Sequence, residues 1–174
     1  TYSNTSITGT VRVSIAVNGG PTEVIGTFPM SVPLSIDALA GTDSIRVVGT
    51  TAADTFSATG AVLTINGATL YLKSIENRTL YGAAGADTYR FDADAALGVY
   101  ALHESGGATD TIDFSSTTTA GLNLNLSKVV LQTVHATNLK LILSSAITFE
   151  NITGGSGPDT FIGNARNNTL IGGA

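Results

Sequence analysis

The chain has 174 residues, of which 43% are hydrophobic and 12% are charged, and its formal net charge is −5. This length predicts one domain or one compact fragment, and the supply of apolar residues excludes a charge-rich disordered segment. Eight Lys and Arg residues are too few for a basic surface that binds nucleic acid, and no apolar run approaches the roughly 18 residues of a membrane helix.

The composition favours strands and turns over helices. Glycine occurs 20 times, Thr, Ser and Asn are frequent, and the good helix formers Lys, Glu and Gln are scarce. Cysteine is absent, which excludes disulfides and thiolate metal sites. The chain starts at Thr1 without a leader and stops at Gly172-Gly173-Ala174 in the middle of a repeat, so we expect a piece of a longer protein.

Short segments in which apolar and polar residues alternate predict strands along the whole chain. Near the N-terminus, Asn18-Gly19-Gly20 is typical of a tight hairpin turn, so an antiparallel pair is expected within the first forty residues. Only residues 92–102 tolerate a helical turn. The clearest alternating segments are residues 11–17, 45–47, 63–65, 122–126 and 139–143.

A short unit recurs in which Asp is followed by Thr or Ser and then by a large apolar residue. One such unit cannot bury its apolar face alone, whereas stacked units share a core. The repeat therefore predicts an all-β parallel β-helix or β-roll solenoid, with an antiparallel β-sandwich as the alternative. In the solenoid, the apolar residues of the five units would stack as one column: Ile45, Phe56, Tyr89, Ile112 and Phe161.

Three segments are expected along this coil. Residues 1–40 form an N-terminal β segment that caps it, residues 41–153 form irregular β-helix repeats, and residues 154–174 begin a roll that is truncated. The C-terminal end of a coil exposes unpaired backbone groups. We therefore expect self-association, or continuation of the coil, through that end.

The sharpest motif is Gly154-Gly155-Ser156-Gly157-Pro158-Asp159-Thr160-Phe161-Ile162. It matches the nonapeptide G-G-x-G-x-D-x-U-x of calcium-binding β-helix repeats, in which U is a large apolar residue. The next nine residues keep Gly163 and Leu170 but carry Asn168 in place of the aspartate.

These residues resemble the repeats-in-toxin family of secreted bacterial proteins. The likeness covers residues 106–174, which are similar to the repeat region that follows the catalytic domain of serralysin-type metalloproteases. It rests on the nonapeptide, on Phe149-Glu150-Asn151 and on residues 107–115. The middle of the chain, with Asp54-Thr55-Phe56 and Asn66-Gly67-Ala68, resembles looser repeats of very large bacterial surface proteins.

The resemblance implies that residues 154–174 begin a calcium-binding β-roll, with a Ca²⁺ site made from two turns that lie 18 residues apart. The carbonyls of Gly154 and Ser156 and the carboxylate of Asp159 would form one half, and the turn that begins at Gly172 would form the other. Ca²⁺ prefers six to eight oxygen ligands. A metal-free turn in which Asp159 caps backbone amides is the alternative.

A weaker candidate metal site consists of Gly82, Ala84 and Asp87, where Ala stands for the second glycine. Asp110 lacks the glycine spacing and is interpreted as a turn cap. We expect Asp92, Asp94 and Glu104 to form a solvated acidic face rather than a site.

No enzymatic motif is present. His103 and His135 are not part of H-E-x-x-H, no G-x-S-x-G occurs, and Cys is absent. We therefore expect a non-enzymatic structural or adhesive module of a large secreted or surface bacterial protein, with calcium-assisted folding. The alternatives are a module that binds extracellular polysaccharide, and a β-helix polysaccharide lyase or epimerase. The polysaccharide surface would carry Tyr71, Tyr81, Tyr89 and Tyr100.

Overall fold

A computed structural model describes residues 10–16, 23–29, 33–105, 108–119 and 121–174. These residues form an all-β structure of seventeen strands without a helix, and hence without a helix that could cross a membrane. The strands are β1 (Thr10–Ala16), β2 (Glu23–Pro29), β3 (Leu34–Asp37), β4 (Ser44–Val48), β5 (Thr55–Thr59), β6 (Val62–Ile65), β7 (Ala68–Lys73), β8 (Asn77–Ala83), β9 (Thr88–Asp92), β10 (Gly98–Glu104), β11 (Thr111–Asp113), β12 (Asn123–Asn125), β13 (Gln132–His135), β14 (Leu139–Leu143), β15 (Asn151–Thr153), β16 (Thr160–Ile162) and β17 (Thr169–Ile171).

The first sheet has the strand order β13-β14-β10-β8-β4-β1-β2. Four successive strands of this sheet, β14, β10, β8 and β4, are parallel. Leu143, Leu102, Leu80 and Val47 lie opposite one another in register. All four side chains are buried. Strands β13, β1 and β2 pair antiparallel at the two ends of the sheet, so the sheet is mixed.

The second sheet has the order β17-β15-β11-β9-β5-β6-β7-β3. The first five of these strands are parallel, and they place five apolar side chains in one row: Phe56, Tyr89, Ile112, Ile152 and Leu170. Strands β5, β6 and β7 form an antiparallel meander, and β3 pairs parallel with β7. A third sheet consists of the parallel strands β12 and β16.

From β7 onward the chain passes back and forth between the sheets. Strands β8 and β10 belong to the first sheet, whereas β9 and β11 belong to the second. Each time the chain returns to a sheet, its new strand pairs with the strand that it formed there before. Most pairs in this part of the chain are therefore parallel. None of the three strand orders closes on itself among the described strands.

The core lies between the sheets and is rich in aromatic rings. Phe56 and Tyr89 stack with their ring centroids 4.9 Å apart. Phe91 of the second sheet meets Tyr100 of the first edge-on at 5.2 Å. These four side chains are at most 1% exposed.

The prediction of a single apolar column is wrong for two of its five members. Phe56, Tyr89 and Ile112 stack as expected, but Ile45 lies in the first sheet, opposite Arg78. Phe161 is only partly buried and pairs with Leu124 in the third sheet. The Asp-Thr-apolar unit therefore marks the start of a strand, but it does not specify the sheet to which the strand belongs.

Two other local expectations have clear outcomes. The N-terminal pair is antiparallel, as predicted, between β1 and β2, whereas the turn at residues 18–20 lies outside the described residues. Residues 92–102 contain no helix, because a short turn at residues 93–95 leads directly towards β10.

We predict that Ile112→Ala lowers the free energy of unfolding by about 2–5 kcal/mol, because Ile112 is fully buried and the truncation leaves a cavity. Urea unfolding followed by circular dichroism measures the change. Ile162→Ala is the matched control, since that side chain is 51% exposed and should change stability by less than about 0.5 kcal/mol. Equal effects of the two substitutions would contradict the assigned core.

Candidate metal centre

Four turns share one construction, in which a glycine precedes an Asp or Asn by five residues. The oxygen of that acid or amide side chain lies directly over the glycine, so that a Cβ there would overlap it. A residue with a Cβ would therefore not fit at these four positions without a shift of the acid or amide side chain. The four pairs are Gly49 with Asp54, Gly82 with Asp87, Gly154 with Asp159, and Gly163 with Asn168.

In three of these turns, a hydrogen bond from the next amide closes the loop onto the same side chain. The amide of Thr50 donates to Asp54 Oδ2 at 2.6 Å, and that of Gly155 donates to Asp159 Oδ2 at 2.9 Å. The amide of Asn164 donates to Asn168 Oδ1 at 2.8 Å. Such bonds satisfy amides that a tight turn would otherwise leave unpaired.

A second set of hydrogen bonds connects successive turns, and we call it the acid ladder. The amide of Asp54 donates to Asp87 Oδ1 at 2.7 Å, and the amide of Asp87 donates to Asp110 Oδ1 at 2.9 Å. The amide of Asp110 in turn donates to Glu150 Oε2 at 2.9 Å. All four acids are buried, with at most 6% exposure.

The C-terminal motif brings together three of its four predicted ligand residues. Gly154 lies against both the Asp159 carboxylate and the Gly172 carbonyl. Strands β15 and β17 pair Asn151 with Thr169, so the two turns stack with the predicted offset of 18 residues. Ser156 is exposed and its amide donates to the Thr117 carbonyl at 3.0 Å.

Asp159 also acts as an amide cap. Its Oδ1 accepts the amide of Leu122 at 2.8 Å, while Oδ2 accepts that of Gly155. Each carboxylate oxygen has two lone pairs, so these bonds leave room for a cation. The carbonyl of Gly172 and the Asp159 carboxylate are hard oxygen ligands, and they fit one side of a Ca²⁺ site.

The weaker candidate turn differs from the other three. Ala83 adopts φ 77°, and the pairing of β8 with β10 shifts register at Glu104, which lies opposite Ala83. Asp87 Oδ2 is buried and has no hydrogen-bond partner. Gly82 lies beneath this oxygen, whereas Ala84 belongs to the following bend.

Asp87 lies close to two acids that the sequence did not associate with it. One oxygen each of Asp87, Glu104 and Asp110 lie within 4.8 Å of one another, and we call this group the acid cluster. The Tyr89 hydroxyl donates to Glu104 Oε1. A Cβ at Gly82 would overlap the oxygens of Asp87, Glu104 and Tyr89, so Gly82 makes room for the cluster.

Two interpretations of acids are corrected here. Asp110 does accept a turn amide, but it also belongs to the acid cluster. Glu104 does not join Asp92 and Asp94 on a solvated face, because Asp94 instead binds the backbone and hydroxyl groups of Thr118 and Thr119.

Burial and like charge perturb the acid cluster. Burial is the main reason that the pKa of Glu104 rises to about 8, and the pKa of Asp110 rises to about 6. The pKa of Asp87 is also raised, mainly by burial. Every neighbouring charge that contributes to these pKa shifts is negative: Asp54, Asp87, Asp110 and Glu150.

The four tyrosines do not form a common surface. Tyr89 and Tyr100 are fully buried in the core, whereas Tyr71 is 50% exposed on the second sheet. Tyr81 is half-buried on the first sheet, between the Arg46 guanidinium at 4.0 Å and the His103 ring at 4.4 Å. Because Tyr89 and Tyr100 are buried, the four tyrosines cannot form the flat face of the alternative polysaccharide-binding module. Polysaccharide as a partner stays a prediction.

Parallel strands with repeated Gly-to-Asp turns define the chain as a β repeat region, and comparison with known proteins gives its family. Residues 72–172 match the family model described as "Peptidase M10 serralysin C terminal". The chain belongs to this family, as the resemblance of its C-terminal part predicted. The matched region is the non-catalytic C-terminal part of these peptidases.

One curated relative supports the assignment. The chain is 34% identical over 106 residues to "Metalloprotease AprA" of Pseudomonas entomophila (strain L48), a match that covers 52% of this chain. It covers only 22% of the relative, so the chain corresponds to a minor part of that protein's length. No solved structure matches the chain significantly.

We predict that the metal-free protein loses stability as the pH rises from about 4.5, the ordinary pKa of Glu, to about 8, the pKa of Glu104 in the fold. In this window the folded state retains a proton that the unfolded state releases, so the free energy of unfolding falls with rising pH. Asp110 contributes in the same direction up to about pH 6. Urea unfolding in a chelating buffer across this range measures the slope.

Glu104→Gln should flatten that slope, because Gln cannot ionise beside Asp87, Asp110 and Tyr89. Asp94→Asn is the control, since hydrogen bonds to Thr119 and Thr118 already hold the Asp94 pKa below its ordinary value and outside the window. An unchanged slope in Glu104→Gln would refute the assignment of the pH dependence to Glu104.

Proposed function

We propose that this chain is a structural repeat module of an exported bacterial protein, folded as a stack of β coils, and that calcium assists its folding. The observation that carries the proposal is the repeated Gly-to-Asp turn, which recurs at the start of parallel strands in a member of the serralysin C-terminal family. The module lies outside the cell and has no catalytic role of its own. Spacing or adhesion is its task.

The solenoid interpretation is supported by the register of the strands. Phe56, Tyr89 and Ile112 repeat at equivalent positions of three parallel strands, and the acid ladder links the start of each of these strands to the start of the next. Stacked repeats of this kind bury a shared core that no single repeat can provide. In the proposed solenoid, residues 41–153 form irregular coils and residues 154–174 begin a more regular roll.

Calcium assistance is assigned to the turn of Gly154 and Asp159. Ca²⁺ there would supply positive charge to the Asp159 carboxylate and to the carbonyls of stacked turns, including that of Gly172. Holding both turns at once, the ion would favour the folded state over the unfolded one. A ligand that binds only the folded state stabilises it by about 2.7 kcal/mol at a hundredfold excess over Kd.

We predict that calcium raises the melting temperature of the chain, and that Asp159→Asn reduces this increase. Asn retains an oxygen that can cap Leu122, but it removes the only charge of the turn. Differential scanning calorimetry with calcium and with chelator measures the increment. Asp94→Asn is the matched control, since Asp94 is bonded to Thr118 and Thr119 away from the motif. Identical calcium increments in the wild type and Asp159→Asn would contradict the proposal.

The partner we propose is another strand of the same kind, added beside β17. This strand forms one edge of the second sheet, and Leu170 and Ile171 are 40% and 50% exposed on it. An exposed parallel edge offers unpaired backbone groups to a further strand. The added strand continues the coil or comes from a second copy.

We predict that the chain self-associates through this edge as its concentration rises. Ile171→Lys should weaken association, because charge on an edge strand opposes pairing. Sedimentation equilibrium measures the effect, and Leu39→Lys is the control at an exposed apolar side chain near the opposite edge. A concentration-independent monomer would refute the interface.

A further inference from the structure

The acid cluster contains two buried carboxylate oxygens, one of Asp87 and one of Asp110, that have no hydrogen-bond donor. Asp87 and Asp110 are each 1% exposed, and Oδ2 of each is buried without a hydrogen-bond partner. Their Oδ1 atoms are occupied, since they accept the amides of Asp54 and Asp87. A buried and unpaired polar atom normally costs free energy, and a buried charge costs far more.

The open oxygens result from a local departure from the common turn. At Asp54, the corresponding Oδ2 accepts the amide of Thr50. At Asp87 that role would fall to Ala83, but Ala83 is in the left-handed region and forms part of the register shift with Glu104. The shift leaves Oδ2 of Asp87 uncapped and brings a third carboxylate towards it.

We propose that Asp87, Glu104 and Asp110 form a site for a calcium-class divalent cation, separate from the turn at Asp159. The three ligand oxygens lie within 4.8 Å of one another, about twice a Ca²⁺–O distance of 2.3–2.6 Å. Carboxylate oxygens are hard ligands that suit Ca²⁺ rather than soft metals.

Charge supports the same assignment. No Lys, Arg or His among the described residues forms an ion pair with any of the three acids. The neighbouring charges that act on them are carboxylates. A divalent cation offsets this repulsion and gives the two unpaired oxygens a partner.

The ligands come from different parts of the fold, which gives the ion a mechanical role. Glu104 ends β10 in the first sheet, whereas Asp87 and Asp110 directly precede β9 and β11 in the second. One ion would therefore connect the end of β10 in the first sheet to the starts of β9 and β11 in the second. The nonapeptide turn at Asp159 differs, because it uses one carboxylate and backbone carbonyls.

Terbium(III), which takes the same oxygen ligands as Ca²⁺, provides a direct test with the full chain. Tyr89 donates to Glu104, so its ring is close enough to sensitise terbium emission. We expect saturable emission on tyrosine excitation, and its loss on competition with Ca²⁺. Tyr89→Phe should reduce the emission and retain Ca²⁺ binding in calorimetry, because Phe preserves the stack on Phe56.

The decisive variants are Asp110→Asn and Glu104→Gln, each of which should abolish this emission. Asp54→Asn is the matched control, since Asp54 lies in the same ladder but has hydrogen bonds to both oxygens. Asp159→Asn should also leave the emission intact, which separates this site from the proposed calcium turn. Circular dichroism verifies folding, and Glu104→Gln decides the matter if Asp110→Asn does not fold.

Three results would overturn the site: no saturable emission in the wild type, emission that persists in folded Glu104→Gln, or emission lost in Asp159→Asn alone. The last of these would assign the ion to the C-terminal turn. A cluster that shares protons and binds no cation would give the first result.

Discussion

The hydrogen bond from a backbone amide to the carboxylate of the following turn is the interaction on which this structure depends. The chain turns sharply as it passes between the sheets, and each turn leaves amides that water cannot reach. In the acid ladder, Asp87, Asp110 and Glu150 accept these amides at 2.7–2.9 Å. Charge-assisted bonds of this kind are stronger than neutral ones, and they fix the register at which neighbouring strands start. In-register stacking of Phe56, Tyr89 and Ile112 follows from that alignment.

The same ladder creates an electrostatic cost. Each acid brings a negative charge into a region of low polarity, and successive acids repel one another. At Asp54 a full set of donors offsets this cost. At Asp87 and Asp110 it is not offset, and Glu104 adds a third carboxyl group to the same place. Buried carboxylate oxygens without hydrogen-bond partners therefore lie close together in the acid cluster, between β8 and β11.

The sequence predicted where these strands start, but not which strands and turns lie beside them. The Asp-Thr-apolar unit correctly indicated the strands at Phe56, Tyr89 and Ile112, since Asp caps a turn and the next apolar residue points inward. It could not show that Glu104 reaches Asp87, or that Ile45 belongs to another sheet. The reason is the variable length of the segments between successive ladder turns. Ladder partners are separated by 33, 23 and 40 residues, so no fixed period reveals which turns are adjacent, whereas the offset of 18 at the C-terminus was readable.

The acid ladder also has a direction along the chain. Each amide donates to a side chain that occurs later in the sequence, from Asp54 to Asp87, then to Asp110 and Glu150. A polypeptide that emerges amino end first therefore exposes donors whose acceptors have not yet arrived. Until the downstream segments follow, the amides of Asp54, Asp87 and Asp110 lack the carboxylate partners that they have in the fold. The complete ladder therefore requires the carboxyl-terminal half of the chain, which contains Asp110 and Glu150.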